Sequence, residues 1–517
     1  MKSRRFFQRY QLTLISYVTA LALSSLIILT KSNLIIRNAI NLKKDGESLT
    51  ARYERIIPVL MEYYHIPGVC ISVIKGGKEI WSSPFGYADV EKGIKMTTET
   101  FFRVESISKS VTAWGVSGLI EEGKIDPARP VEGYLNGWKF PEGKFSAEGI
   151  TINSLLSHTS GLPLGDFTNR FSPAAEIPGL RESLSREAFI IREPGSSYSY
   201  SNVGFNLLQL VAEEVTGVSF SDYIGAFLLK PLGMSRSCYE WNAELESGLA
   251  TAYDLKGNPV GPYVYPENGA GGLFSTIEDI SKFVVAGVSG SDGQGQRLLS
   301  ENTVAEMHTP LTQIHGIYGL VFSHYGRGHF IEYLDKSELA VSHGGQGYGW
   351  MSHYHLIPGT GDGIVILTNS QRSWPFFGFV LRDWAEWCGY KHIGMEVIPA
   401  SELVLWLVVW TVMLISLAII LLNLLELFTG RRVFIILKKD ISVKRLIRVA
   451  ASVVIFIFLA WCSGQEYLFV SSLFHATTWT LGLTAAAVSL AILSIALTKK
   501  SPQKRVFLPD NKNDKIS

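Results

Sequence analysis

The chain has 517 residues, of which 47% are hydrophobic, and a formal net charge of +1. That length allows one large domain plus accessory segments, and the positive mean hydropathy points to membrane for the accessory part. The near-neutral balance excludes a chain-wide basic surface for nucleic acid, and four cysteines are too few for a disulfide framework.

Residues 11–30 form an apolar stretch of about the length needed to cross a bilayer, preceded by Lys2, Arg4, Arg5 and Arg9. The pattern reads as a signal peptide or an uncleaved anchor. The anchor is preferred because no convincing small-residue cleavage site appears, Ala20-Leu21-Ala22 being the nearest match. A helical pattern follows over 51–64. Strand-like segments at 68–74 and 79–86 are joined around Gly76-Gly77, and Cys70 in the first of them reads as a small core hydrophobe.

Ser106-Ile107-Ser108-Lys109 then opens a helical pattern with Val111, Trp114, Leu119 and Ile120 among its apolar positions. A lysine at i+3 shares the helix face of the serine and can take its proton. A serine at a helix start also has its own N–H available to an oxyanion. The same spacing recurs at Ser501–Lys504, but Pro502 in a basic tail offers no helix to align the pair. Residues 108–282 are rich in helical periodicity and Gly/Pro-punctuated loops. They contain His158, read as a structural hydrogen-bonding residue in a turn, and Tyr200-Ser201-Asn202, whose tyrosine is a second proton carrier. Tyr134-Leu135-Asn136 has the same form but sits in a glycine-flanked turn.

Strands are expected again at 319–325, 329–334, 339–343, 350–357 and 363–368, before a final helix over 374–389. His343-Gly344-Gly345 falls at the end of the third of these, where glycines let backbone approach a substrate. His353 and His355 share one strand face. With no third ligand nearby in sequence, packing or hydrogen bonding is expected there and no metal. Terminal strands and helices enclosing a helical middle suit an α/β sheet domain interrupted by an all-α region. Ser106, Lys109 and Tyr200 together read as a serine acyl-transfer site.

Three further apolar spans follow, at 403–425, 449–470 (with a polar break near 463–466) and 476–497. The connector 430–448 and the tail 498–517 are basic, whereas the short link at His475 has no lysine or arginine. By the positive-inside rule, residues 1–10, the connector and the tail are cytoplasmic and the domain at 50–392 lies outside. Those three segments hold 17 of the 47 basic residues and three of the 46 acidic ones, leaving 30 basic against 43 acidic elsewhere. Basic residues beside spans are topology signals, not a nucleic-acid groove.

On these motifs the chain resembles the serine β-lactamase and penicillin-binding protein superfamily, in its class C β-lactamase, DD-peptidase and esterase branch. Further stretches carry the resemblance: Leu155 to Pro163, Pro194 to Asn202, Lys230 to Met234, and Gly271 to Thr276. The resemblance covers roughly residues 50 to 392. It implies an α/β (α+β) β-lactamase/transpeptidase-like domain, an antiparallel sheet flanked by helices with an inserted all-α region, followed here by transmembrane helices. The site would lie in the cleft between sheet and insertion.

The resemblance also implies roles. Ser106 would be the acylated nucleophile and Lys109 its proton acceptor. Tyr200 would share proton transfer to the leaving group, and Asn202 would orient Lys109 and the substrate amide. His343, Gly344, Gly345 and Gln346 would line the substrate, with the N–H groups of Ser106 and Gln346 as the oxyanion hole. His343 stands where many members carry lysine. An unperturbed imidazole is mostly neutral at pH 7, so this position loses a fixed charge for a substrate carboxylate.

The expected activity is a membrane-anchored, wall-facing serine hydrolase acting through an acyl-enzyme on D-alanyl peptides or esters, including cell-wall precursors, without cofactor. Its other expected partner is the lipid bilayer, with no nucleic acid. A β-lactamase, or a non-catalytic β-lactam-binding signalling protein, is the alternative. A transport role for the C-terminal spans lacks the usual intramembrane ionisable residues.

Overall fold

In this computed structural model the described residues are 47–501, apart from Phe167, 291–296, Ile317, 436–441 and 466–467; upstream of 47 only Thr19 and Leu23 are described. The expected N-terminal span at 11–30 and most of the basic tail therefore lie outside the described residues. The chain divides into two compact units, residues 40–401 and residues 1–39 with 402–517.

The larger unit is built on a nine-stranded sheet. Its strands are β1 (Gly68–Lys75), β2 (Lys78–Asp89), β3 (Ile94–Lys95), β4 (Thr312–Gln313), β5 (His324–Tyr325), β6 (Phe330–Tyr333), β7 (Leu339–Gln346), β8 (Met351–Ile357) and β9 (Asp362–Thr368). The spatial order is β3-β2-β1-β9-β8-β7-β6-β5-β4, and every neighbouring pair is antiparallel. The β1–β2 turn uses Gly76 and Gly77, both at positive φ (57° and 74°), the conformation a two-residue hairpin turn requires.

Strands β8 and β9 are buried along their whole length because helices cover both faces of the sheet. Alternation along β8 assigns the faces. His353 and His355 pack on Phe377 and Trp384 of helix α5 (Trp374–Trp387), at ring distances of 6.0 and 5.6 Å. Tyr354 between them meets Phe283 of α4 (Ile277–Ala286), which in turn packs on Trp114 of α2 (Ile107–Glu121). Helix α1 (Leu49–Tyr64) joins α5 through the Tyr53 hydroxyl, which donates to the Val380 carbonyl, and the buried Arg52–Asp383 pair at 2.7 Å.

The helical insertion is closed at its neck by Phe102-Arg103 pairing with Phe274-Ser275. Its main helix, α3 (Asn202–Thr216), packs against α2. The expected strand at 319–325 shrinks to His324–Tyr325. Upstream, Tyr318–Leu320 forms a single 3₁₀ turn and Phe322 stacks on Phe330 at 4.3 Å, so side-chain packing displaces the ladder. Strand β7 runs three residues beyond the expected end, to Gln346.

Among the described residues of the second unit, three helices are long and apolar enough to cross a membrane. The first, α6 (Val397–Phe428), starts at the end of the larger unit; the others are α7 (Val443–Ser463) and α8 (Thr478–Ala496). Helix α7 begins inside the basic connector and stops at Ser463, short of the expected 470, where Gly464 follows. Ser452 of α7 and Ser489 of α8 join by a 2.7 Å hydroxyl contact and by reciprocal bonds to each other's carbonyls. Small polar residues of this kind let apolar helices approach closely. Connector and tail also meet, since β10 (Arg432–Phe434) pairs antiparallel with β11 (Thr498–Lys500).

Candidate active site

Helix α2 positions the first pair. Ser106 is its N-cap residue but makes no side-chain capping bond, which leaves the hydroxyl to other partners. Alone among residues 101–110 it is not buried. Lys109, one turn on and fully buried, sits with Nζ 3.0 Å from Ser106 Oγ. Burial pulls the Lys109 ammonium down to about 7, against the opposing pull of the Glu105 carboxylate. A substantial fraction of neutral amine at pH 7 is what a proton acceptor for serine needs. Among the described residues the Ser106 N–H has no acceptor, as expected of a donor at a helix start.

The second partner of Lys109 is the Ala270 carbonyl, at 2.7 Å. The strand of chain carrying it is clamped between two helices. Asn206 and Gln209 of α3 accept from the N–H groups of Ala270, Asn268 and Gly269, and Thr112 of α2 donates to the Gly269 carbonyl. Neither Ala270 nor these supporting residues is legible from motifs. The one available signal is the i, i+3 pair of amides, Asn206 and Gln209, on an otherwise apolar and buried helix face.

Tyr200 comes from the segment entering α3, whose N-cap Ser201 accepts from Gly204 N–H, a cap worth about 1 kcal/mol. Burial raises the Tyr200 pKa far above the usual phenol value, and the neighbouring Ser106 hydroxyl opposes that rise. The Tyr200 ring lies 5.0 Å from Lys109 Nζ and stacks on Tyr318 and Phe330. Asn202 is the first residue of α3, half-buried, with its N–H on the Leu164 carbonyl. Among the described residues no hydrogen bond joins its side chain to Lys109, whose partners are Ser106 and Ala270. His158 Nδ1 accepts from Ser201 N–H at 3.1 Å, so its ring braces the Tyr200 segment.

Strand β7 brings the third group. His343 is fully buried. Nδ1 lies 2.8 Å from the Gly344 carbonyl, which can only accept, so Nδ1 carries the hydrogen. Nε2 then accepts from the Tyr325 hydroxyl at 3.0 Å. Burial first, and the Lys109 charge second, pull the His343 pKa down to about 3. The imidazole therefore stays neutral from pH 5 to 8 instead of titrating near 6.5.

The glycines also serve a close approach to protein. A Cβ on Gly345 would lie 2.2 Å from the Val104 carbonyl and 2.3 Å from Ser352 Oγ, and one on Gly344 would lie 3.2 Å from His353 Nδ1. Ser352 donates to the same Val104 carbonyl at 2.7 Å. The bare backbone of β7 thus presses on the residues that lead into Ser106. Gln346 ends the strand, its side-chain oxygen taking the Trp374 indole N–H at 3.0 Å. Gly345→Ala is expected to cost about 1–3 kcal/mol by overpacking, read as a lower thermal midpoint, together with slower labelling of Ser106. His353 and His355 hydrogen-bond each other at 3.3 Å.

A serine and lysine on one helix, a tyrosine from the insertion and a strand pressed against the serine define a β-lactamase/transpeptidase-type domain. The chain belongs to the Beta-lactamase family, whose model matches residues 53–379. It is similar to "Protein flp" of Staphylococcus aureus, 28% identical over 314 residues, or 59% of this chain and 60% of that protein. The chain thus spans about 60% of the length of the curated relatives it matches. A penicillin-binding protein homologue from Pyrococcus abyssi, described as octameric, is 28% identical with a TM-score of 0.57, over 66% of this chain and 77% of that one. A class C β-lactamase, at 22% identity and a TM-score of 0.56, shares the fold over 67% of this chain and 98% of its own.

Proposed function

We propose that the protein is a membrane-anchored serine hydrolase that faces the cell wall and acts through an acyl-enzyme on D-alanyl peptides or esters. The observation that carries this reading is the 3.0 Å contact between Ser106 Oγ and a lysine whose burial brings it to about 7. Neutral Lys109 takes the hydroxyl proton as Ser106 attacks the acyl carbonyl. Tyr200, a neutral phenol next to Ser106, passes a proton to the leaving group. The N–H groups of Ser106 and Gln346 receive the developing oxyanion, each such donor being worth about 10²–10³ in rate. Asn202, at the mouth of α3, is assigned to the substrate amide.

The neutral, fully buried His343 favours simple acyl esters over β-lactams, because it supplies no fixed charge for a carboxylate. The test compares kcat/KM for an acyl or D-alanyl ester with that for a cephalosporin, in the parent and in His343→Lys. The parent should prefer the ester. The variant should raise the cephalosporin-to-ester ratio by roughly tenfold, the worth of a charge contact of about 1.4 kcal/mol. A parent that hydrolyses the cephalosporin faster than every ester or D-alanyl peptide offered is instead a β-lactamase.

Three apolar helices and the basic connector support the membrane orientation. Reporter fusions after Gly389 and near His475 should report the outside, and those near Lys439 and at Ser517 the cytoplasm. A cytoplasmic signal at Gly389 contradicts the wall-facing reading.

A further inference from the structure

Glu105, immediately before Ser106, has φ +51°. For a side chain other than glycine or asparagine this left-handed conformation is strained, and strain held next to a reacting group marks a functional constraint. The surroundings show what holds it. The carboxylate is buried and accepts from the Tyr263 hydroxyl at 2.8 Å and the Tyr265 hydroxyl at 3.2 Å, with Arg103 Nε 3.2 Å away. The guanidinium of Arg103 is itself fixed on the carbonyls of Tyr263 and Gly271, the second adjoining Ala270.

The same carboxylate lies under the turn that follows β7. A Cβ on Gly347 would fall 1.9 Å from Glu105 Oε1, and Tyr263 also receives the Tyr348 N–H at 2.9 Å. One buried side chain thus touches the nucleophile's turn, the loop of Tyr263 and Tyr265, and the backbone just past Gln346.

We infer that Glu105 is a positioning residue, which locks the turn presenting Ser106 to the end of β7 and places a carboxyl group near Lys109. The inference rests on the serine reading above. A charge at this place has a defined consequence. Around Lys109 the titratable groups are Glu105 at its own helix start, Tyr200 and His158 from the insertion, and His343 on β7. The two histidines are held neutral by burial and the tyrosine by its raised pKa. Burial raises the Glu105 pKa while Arg103, the two tyrosine hydroxyls and Lys109 favour its ionised form; the ionised carboxylate raises the proton affinity of Lys109, so its removal moves the deprotonation of Lys109 to lower pH.

The test is the second-order rate at which a fluorophosphonate labels the full-length solubilised protein, measured from about pH 5 to 9. The parent rate should rise with a midpoint near the Lys109 value of about 7. Glu105→Gln, nearly isosteric, should move that midpoint down by about one unit. Glu105→Gly, which adopts positive φ without strain, should move it likewise and lower the plateau by roughly tenfold or more, because the anchor is lost. Variant profiles that coincide with the parent's overturn the inference. So do profiles scaled down uniformly with the midpoint unmoved, or an undiminished plateau in Glu105→Gly. A parent that takes no label overturns the serine reading itself, before any variant is compared.

Discussion

Replacing Ser106 by alanine is expected to abolish covalent labelling and to lower turnover by about 10⁴-fold or more, roughly 5.5 kcal/mol of transition-state stabilisation. The expectation follows from geometry. Ser106 is the one half-buried residue in an otherwise buried stretch, its hydroxyl is not spent on a helix cap, and a buried lysine stands 3.0 Å away. The substitution removes a single oxygen at a partly exposed position, so the thermal midpoint should stay near the parent's. Retained turnover in a folded Ser106→Ala protein contradicts the serine mechanism.

Loss of either proton carrier should be nearly as severe. Lys109→Ala and Tyr200→Phe should each lower turnover by roughly 10²-fold or more. The pair should cost less than the product of the two, because residues acting as one unit are not additive. The pH profile separates them. With Lys109 at about 7, the competent amine is the deprotonated one, so the parent rate should climb as pH rises through 7. That limb should vanish in Lys109→Ala and persist, at lower amplitude, in Tyr200→Phe, whose phenol stays protonated over the same range. A Lys109→Ala protein that keeps the limb assigns it to another group.

Ser106, Lys109 and Tyr200 were legible in the sequence because each signal is local. An i+3 spacing at a helix start already dictates a shared face, and the structure brings the three together. The antiparallel sheet with its helical insertion was legible through the same family pattern. What stayed hidden depends on atoms without a side-chain signature or on partners far along the chain. The Ala270 carbonyl is a backbone atom 161 residues from Lys109. The neutrality of His343 comes from burial and from Tyr325, neither of which a three-residue string contains. Gly344 and Gly345 advertise a close approach but not its object: Gly345 meets the lead-in to Ser106 at Val104 and Glu105, and Gly344 meets His353 of the neighbouring strand. At 319–325 an apolar run looked like a strand, yet Phe322 is used in packing on Phe330. In the connector and tail, residues read as topology signals also form a two-stranded ladder, Arg432–Phe434 with Thr498–Lys500.

The proposed mechanism requires an acyl-enzyme on Ser106. Peptide mapping by mass spectrometry of the parent protein, after labelling with a fluorophosphonate, tests it most directly. The predicted result is a single adduct on the peptide containing Ser106, formed faster at pH 8 than at pH 6. An adduct on any other residue, or no adduct on folded protein, contradicts it.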